Sequence, residues 1–138
     1  MRFGGRLVKS GKWYAAKVPV LGIDTQGNSK ANAYAMIKDA IEGLVNKRGF
    51  AVTVYPGKGS YFEVGASDQA AWVAFLLRRQ RMVHGLSLAD VAERLGAKSR
   101  NAYARYEQGE AVPTAGKLME LLAALEPDRD FVLGEAEV

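Results

Sequence analysis

Along the first 66 residues, short runs rich in β-branched and aromatic residues are separated by polar turn formers, the pattern of short strands. GRLVKSG and KWYAAKVPVLG are two such runs around Ser10, Gly11 and Lys12, and they predict a hairpin. Asp24 to Ser29 is a cluster of turn formers, with Ser29 placed to cap a helix over Lys30 to Lys47. There the apolar spacing is three and four, and Ala33, Met36, Ile37, Ala40, Ile41, Leu44 and Val45 form one stripe that needs a sheet to pack on. FAVTVYPG and SYFEVG then predict two more strands joined by the turn Pro56 to Gly59. The unit reads ββαββ.

From Ser67 and Asp68, either of which can cap, the chain reads as helix throughout. Residues 69–83 carry Trp72, Val73, Leu76 and Leu77 at core spacing. Ser87 caps Leu88 to Leu95 and Gly96 ends it; Ser99 caps a helix running to Gln108, with Gly109 as its stop. AGKLMELLAAL follows Pro113 and Thr114, and DRDFVL is a last short helix or an extended tail. The fold class is α+β: residues 1–66 form a small sheet-plus-helix domain, and residues 67–138 an all-α domain of five helices.

Composition narrows the setting. With 49% apolar and 25% charged residues the 138-residue chain is globular. It has no cysteine, hence no disulfide or thiolate metal site, and no long apolar segment. Those features point to a cytoplasmic protein, neither secreted nor membrane-bound. The net charge of +4 is uneven: residues 1–66 hold ten basic residues against four acidic ones, and Arg78 to Arg105 hold seven against two. Compact basic surfaces suit a phosphate backbone, although charge alone does not separate DNA, RNA and acidic proteins.

SLADVAERLGAKSRNAYARYEQG joins the last two observations. Two short helices crossing through a tight turn need a small turn residue, an Ala where they touch, and apolar side chains facing back. Gly96, Ala92, Leu88, Val91 and Leu95 meet these needs. On the following helix Ala102, Tyr103 and Tyr106 are expected in the core, and Ser99, Arg100, Asn101, Ala104 and Arg105 outside. An outward face of that kind suits a major groove, with Arg on guanine and Asn on adenine. Ser87, Lys98 and Ser99 add hydroxyl and cationic partners for phosphates. Arg78, Arg79 and Arg81 are either phosphate contacts or a solvated face.

These stretches resemble known families. LRRQRMVHGLSLADVAERLG followed by NAYARYEQGEAVPTAGKLMELLAAL is similar to the five-helix DNA-binding domain of the Xre and lambda-repressor class. GKWYAAKVPVLGIDTQGNSKANAYAMIKDAIEGLV resembles the N-terminal domain of HicB antitoxins, a partial ribonuclease-H-like fold, with Thr25 to Gly27 as its most specific element. Where that family often has Leu-Pro-Gly before the turn, this chain has Val20, Leu21 and Gly22. The resemblance implies an antitoxin whose first domain masks a small HicA-type mRNA interferase toxin and whose second represses its own operon at operator DNA.

A recognition helix reads few base pairs, so a homodimer or higher homo-oligomer is expected. Toxin contacts are sought at Trp13, Tyr14, Thr25, Gln26, Gly27 and Asn28, where aromatics and a loop offer interface anchors; Trp13 reads equally well as core. A basic toxin calls for a locally apolar or acidic patch. The alternatives are a helix-turn-helix regulator whose first domain senses a small ligand or only oligomerises, and an RNA-binding or nuclease role for the basic first domain.

Catalysis is not expected. A metal-dependent nuclease needs clustered carboxylates, and the first 66 residues hold only Asp24, Asp39, Glu42 and Glu63, scattered over turn, helix and strand. His84 is the single histidine, placed where a helix should end. No catalytic residue, metal ligand or cofactor is assigned.

Overall fold

The computed structural model describes residues 1–96 and 100–137. Strands β1 (Arg2–Ser10) and β2 (Trp13–Val18) form the expected hairpin, a 3-10 turn spans Pro19–Leu21, and β3 (Ile23–Gly27) leads into α1 (Lys30–Val45). Strands β4 (Val52–Pro56) and β5 (Tyr61–Ala66) follow, then α2 (Gln69–Val83), α3 (Leu88–Arg94), α4 (Arg100–Glu107) and α5 (Ala115–Leu125). The class is α+β, as expected, with two differences of detail. The sheet has five strands in the order β3-β2-β1-β5-β4, all antiparallel. The second half holds four helices among the described residues, and 128–137 carry neither helix nor strand.

The additional strand lies where a turn was expected. Gly22 sits in the left-handed region, φ 61°, and its N–H donates to Pro19 O, which turns the chain back alongside β2. Ile23 then pairs with Val18 and Gly27 with Tyr14, so a row of ladder hydrogen bonds overrides the turn propensity of Asp24 to Gly27. Gly27 is required because a Cβ there would stand 2.4 Å from the Ala33 nitrogen. The start of α1 crosses directly over it, which gives the Thr-Gln-Gly motif a steric reason.

Ser29 caps α1, accepting from the Asn32 N–H, and Ala33, Ile37 and Ile41 are fully buried on the sheet. The apolar stripe is narrower than expected. Met36 and Leu44 are 42% and 47% exposed, since a lone helix touches a sheet along one line only. Between that exposed flank and α2 runs an open groove of about 500 Å³, lined by Asp24, Asp39, Ala40, Gly43, Leu44 and Arg79 among others.

Helix α2 is buried nearly all round, with Trp72, Val73, Ala74, Phe75, Leu76, Leu77 and Gln80 inside. Asp68 caps it, accepting from the Ala71 N–H. Trp72 stacks on Phe3 of β1 at 4.6 Å between centroids, lies 6.2 Å from Phe50, and donates through Nε1 to Met1 O at 3.1 Å. Other residues of the same helix meet α4 and α5. One hydrophobic cluster therefore runs from Phe3 and Val64 through Trp72 to Tyr103 and Leu125.

Depressed carboxyls contribute to the response to acid, Glu42 and Asp68 among them. Lys38 and the Val52 N–H bind Glu42 and hold it below its ordinary 4.5, and Lys47 with the Ala71 N–H does the same for Asp68. A lowered folded-state pKa contributes stability above the unfolded value, which is lost as pH falls through the folded one. Thermal midpoints should accordingly fall as pH drops below about 4.5, with a shallower slope for Glu42→Gln. Parallel profiles for the two proteins would remove Glu42 from this account.

Candidate nucleic-acid interface

Helix α3 starts on a closed capping box: Ser87 Oγ accepts from the Asp90 N–H at 3.0 Å, and Asp90 Oδ2 accepts from the Ser87 N–H at 2.8 Å. The Ser87 N–H, helped by the Ser87 hydroxyl, holds the Asp90 carboxyl below its usual range. Val91 and Ala92 are buried toward α4, and Gly96 leaves the helix at φ 68°. Lys98 and Ser99, expected at the phosphates and as the cap of α4, lie outside the described residues.

Helix α4 has a buried side of Tyr103 and Ala104 and an exposed side of Arg100, Asn101, Ala102 and Arg105. Arg100, Asn101 and Arg105 thus stand outward as expected, while Ala102 and Ala104 have exchanged roles. At 100° per residue the core-facing direction lies between Tyr103, Ala104 and Glu107. That turns Ala104 inward and removes it from the readable face. Tyr106, expected in the core, is half-buried at the edge of this side. Arg105 rests against Glu110, Nε to Oε2 3.4 Å, with both side chains more than half exposed.

The anchor of α4 escaped the sequence reading. Glu107 is only 6% exposed in its side chain and receives the Arg81 guanidinium on both oxygens, with Nε to Oε2 at 2.8 Å and Nη2 to Oε1 at 3.0 Å. Arg81 Nη1 also donates to Leu86 O, the residue before the α3 cap. Burial pushes the Tyr103 phenol far above its ordinary value, and the Glu107 charge adds to that. The signal in the sequence is a Glu one turn beyond Tyr103, on the same inward side.

Arg78 and Arg79 also serve the interior framework. Arg79 donates to Leu21 O at 2.8 Å and Gly22 O at 3.0 Å, and Arg78 to Leu44 O at 3.0 Å. With Arg81 held by Glu107, the three basic side chains of α2 tie α1, the 3-10 turn and α4 together. His84 closes α2 beside α5, its Nε2 3.1 Å from Glu126 Oε2.

The six residues sought as toxin contacts do not share a face. Trp13 and Gln26 are exposed on the outer side of the sheet, so the core alternative for Trp13 falls. Tyr14, Thr25 and Gly27 point to the helix side, and Asn28 is exposed beside the start of α1, its N–H bound by Asn32 Oδ1. The four carboxylates are also divided. Asp24 and Asp39 line the groove, Glu42 is held by Lys38, and Glu63 lies on the outer face with Arg2 and Tyr61. Among the described residues no group of three or more His, Asp or Glu could hold a metal ion. None of the described helices is long and apolar enough to cross a membrane.

No curated protein matches the chain. Residues 72–131 match the family described as a helix-turn-helix domain, a span that takes in most of α2 and all of α3, α4 and α5. Helices α3 and α4, with Arg100, Asn101 and Arg105 exposed on α4, lie within the span that is similar to a helix-turn-helix domain, a match that supports DNA binding by this part of the chain.

Proposed function

We propose that this protein is an autoregulating antitoxin: α4 reads operator DNA as one of two or more copies, and the first unit masks a small, basic mRNA interferase of the HicA type. The observation that carries the DNA-reading part is the α4 face, where Asn101 and Arg105 stand one turn apart opposite the buried Tyr103 and Ala104. Asn suits the N6 and N7 edge of adenine, and Arg the O6 and N7 edge of guanine. The Arg105 pair with Glu110 is exposed and contributes little to stability, so a base can replace Glu110 as partner.

The masking part rests on the HicB resemblance, and the open groove supports it. Asp39 lines the groove beside the exposed Leu44, with Asp24 at its edge, which suits a basic protein with apolar side chains. Asp24 is held only loosely by Lys17, at 3.9 Å.

Binding to DNA from upstream of the protein's own gene tests the reading. Asn101→Ala and Arg105→Ala should each weaken that binding by about 5- to 150-fold, the equivalent of about 1–3 kcal/mol for a bidentate base contact. Binding to unrelated duplex should change less, and so should binding of the small protein encoded beside it. Equal operator affinity in both variants would remove α4 as the reader, and failure of that neighbour to bind the intact chain would remove the antitoxin part.

A further inference from the structure

Both helices that meet the sheet, α1 and α2, lie on one of its sides. The other side carries Arg2, Gly4, Arg6, Val8 and Ser10 from β1, alternate residues of a strand whose Phe3, Gly5 and Leu7 are buried. Antiparallel sheets commonly leave such a face to water and fill it with polar side chains. This one instead exposes Trp13 at 54%, Tyr61 at 45% and Val8 at 45%.

The register sets the geometry. Trp13 lies opposite Ser10 and Tyr61 opposite Arg6, with Lys17 opposite Arg6 on the other flank. At about 3.3 Å per residue along a strand and about 4.8 Å between strands, the Trp13 and Tyr61 backbone positions stand roughly 16 Å apart across β1, and the Tyr61 ring leans from there over Gly4. That diagonal crosses Val8 and Ala15, a low apolar floor. Residues 132–137 run beside the other end of the face, near Arg2, Gly4, Glu63 and one side of Tyr61, where Arg2 donates to Glu137 O. The open part is therefore the β1–β2 half between the two rings.

Its charge is positive. Glu63 is bound to Arg2 at 3.3 Å and Asp24 engages Lys17 only at 3.9 Å, while Arg6 has no ion-pair partner among the described residues and Lys12 stands exposed at the hairpin tip. A second copy would bring like charges together. Duplex DNA offers no unstacked base to a ring standing on a flat surface. A single strand offers both: phosphates for the cations and bare base faces for the rings.

We infer that this face binds single-stranded RNA, with two bases stacked on Trp13 and Tyr61 and the intervening phosphates on Arg6 and Lys17. Ser10 beside Trp13, and Gln26 opposite Ala15, supply a hydroxyl and an amide for the ribose 2′-hydroxyl, the group by which a protein tells RNA from DNA. The site is separate from α4 and does not depend on the antitoxin reading.

Fluorescence anisotropy of the full chain with a labelled twelve-nucleotide oligouridylate tests it, alongside the same length of deoxyuridylate and a twelve-base-pair RNA duplex. Oligouridylate should bind tightest. Trp13→Ala and Tyr61→Ala should each weaken it by about tenfold, with Trp13→Phe keeping most of the affinity. Arg6→Ala should lower the slope of log affinity against log salt by about 0.7, the value for one phosphate on a single strand. Operator binding in these variants should stay at the wild-type level, which excludes a folding defect. Tighter binding of the duplex, equal binding of deoxyuridylate, or wild-type affinity in both ring variants would overturn the inference.

Discussion

Trp72→Ala is expected to cost about 3–5 kcal/mol of folding stability, as truncation of a buried tryptophan does, and to destabilise both halves of the molecule at once. The ring has no exposed surface, stacks on Phe3 and Phe75, lies near Phe50, and donates to Met1 O. Its loss leaves a cavity between β1 and α2 and an unpaired carbonyl beside it. Trp13 and Trp72 are the two tryptophans of the chain, so the variant keeps one emission reporter in the sheet while far-UV circular dichroism reports mainly the helices. Urea titrations followed by both probes should coincide at a lower midpoint. A helical signal that melts while Trp13 emission holds would show that the shared cluster does not couple the halves.

The second large effect is at the α2–α4 tie. Glu107→Ala leaves the Arg81 guanidinium, 19% exposed, without its carboxylate, and breaking a buried pair from one side costs about 3–5 kcal/mol. Glu107→Gln keeps a carbonyl acceptor and should cost less. Arg81→Met with Glu107→Leu removes both charges and should recover much of the loss, because no buried charge then stands alone. Chemical denaturation of the three variants gives the ordering directly. Operator affinity should fall with Glu107→Ala as well, since Glu107 and Tyr103 fix how α4 presents Asn101 and Arg105. If the single and double variants were equally unstable, burial of side-chain volume rather than charge pairing would be what the site contributes.

Much of the helical half could be read from local chemistry. Asp68 and Ser87 cap where expected, and Gly96 ends α3, because a cap involves only three or four neighbouring residues. Strand β3 was hidden for the opposite reason: Asp24 to Gly27 carry turn propensity, and only pairing with β2 makes them a strand. Arg78 and Arg79 read as phosphate contacts or a solvated face because their carbonyl partners lie 34 to 58 residues away. The phase of α4 was misjudged at Ala102 and Ala104 because eight residues make little more than two turns, too few for spacing to fix the inward direction. Whether Trp13 or Tyr14 faces the helices is likewise a matter of parity, set by the Leu7 to Ala16 pairing rather than by the residues themselves.

Arg79 and Gln80 grip the backbone oxygens of Val20, Leu21 and Gly22, the corner where β2 passes into β3. That corner belongs to the sheet edge beside the groove, and α2 seats α4 on its far side. The C-terminal part of α2 thus holds the sheet corner through one side and α4 through another. Thermodynamic linkage then constrains what the protein can do: a ligand that grips the edge and prefers one setting of α2 changes DNA affinity by some factor, and DNA must change that ligand's affinity by the same factor. If the proposed partner and operator both engage the protein, their affinities are linked in this way, and Arg79 and Gln80 are the contacts at which to test it.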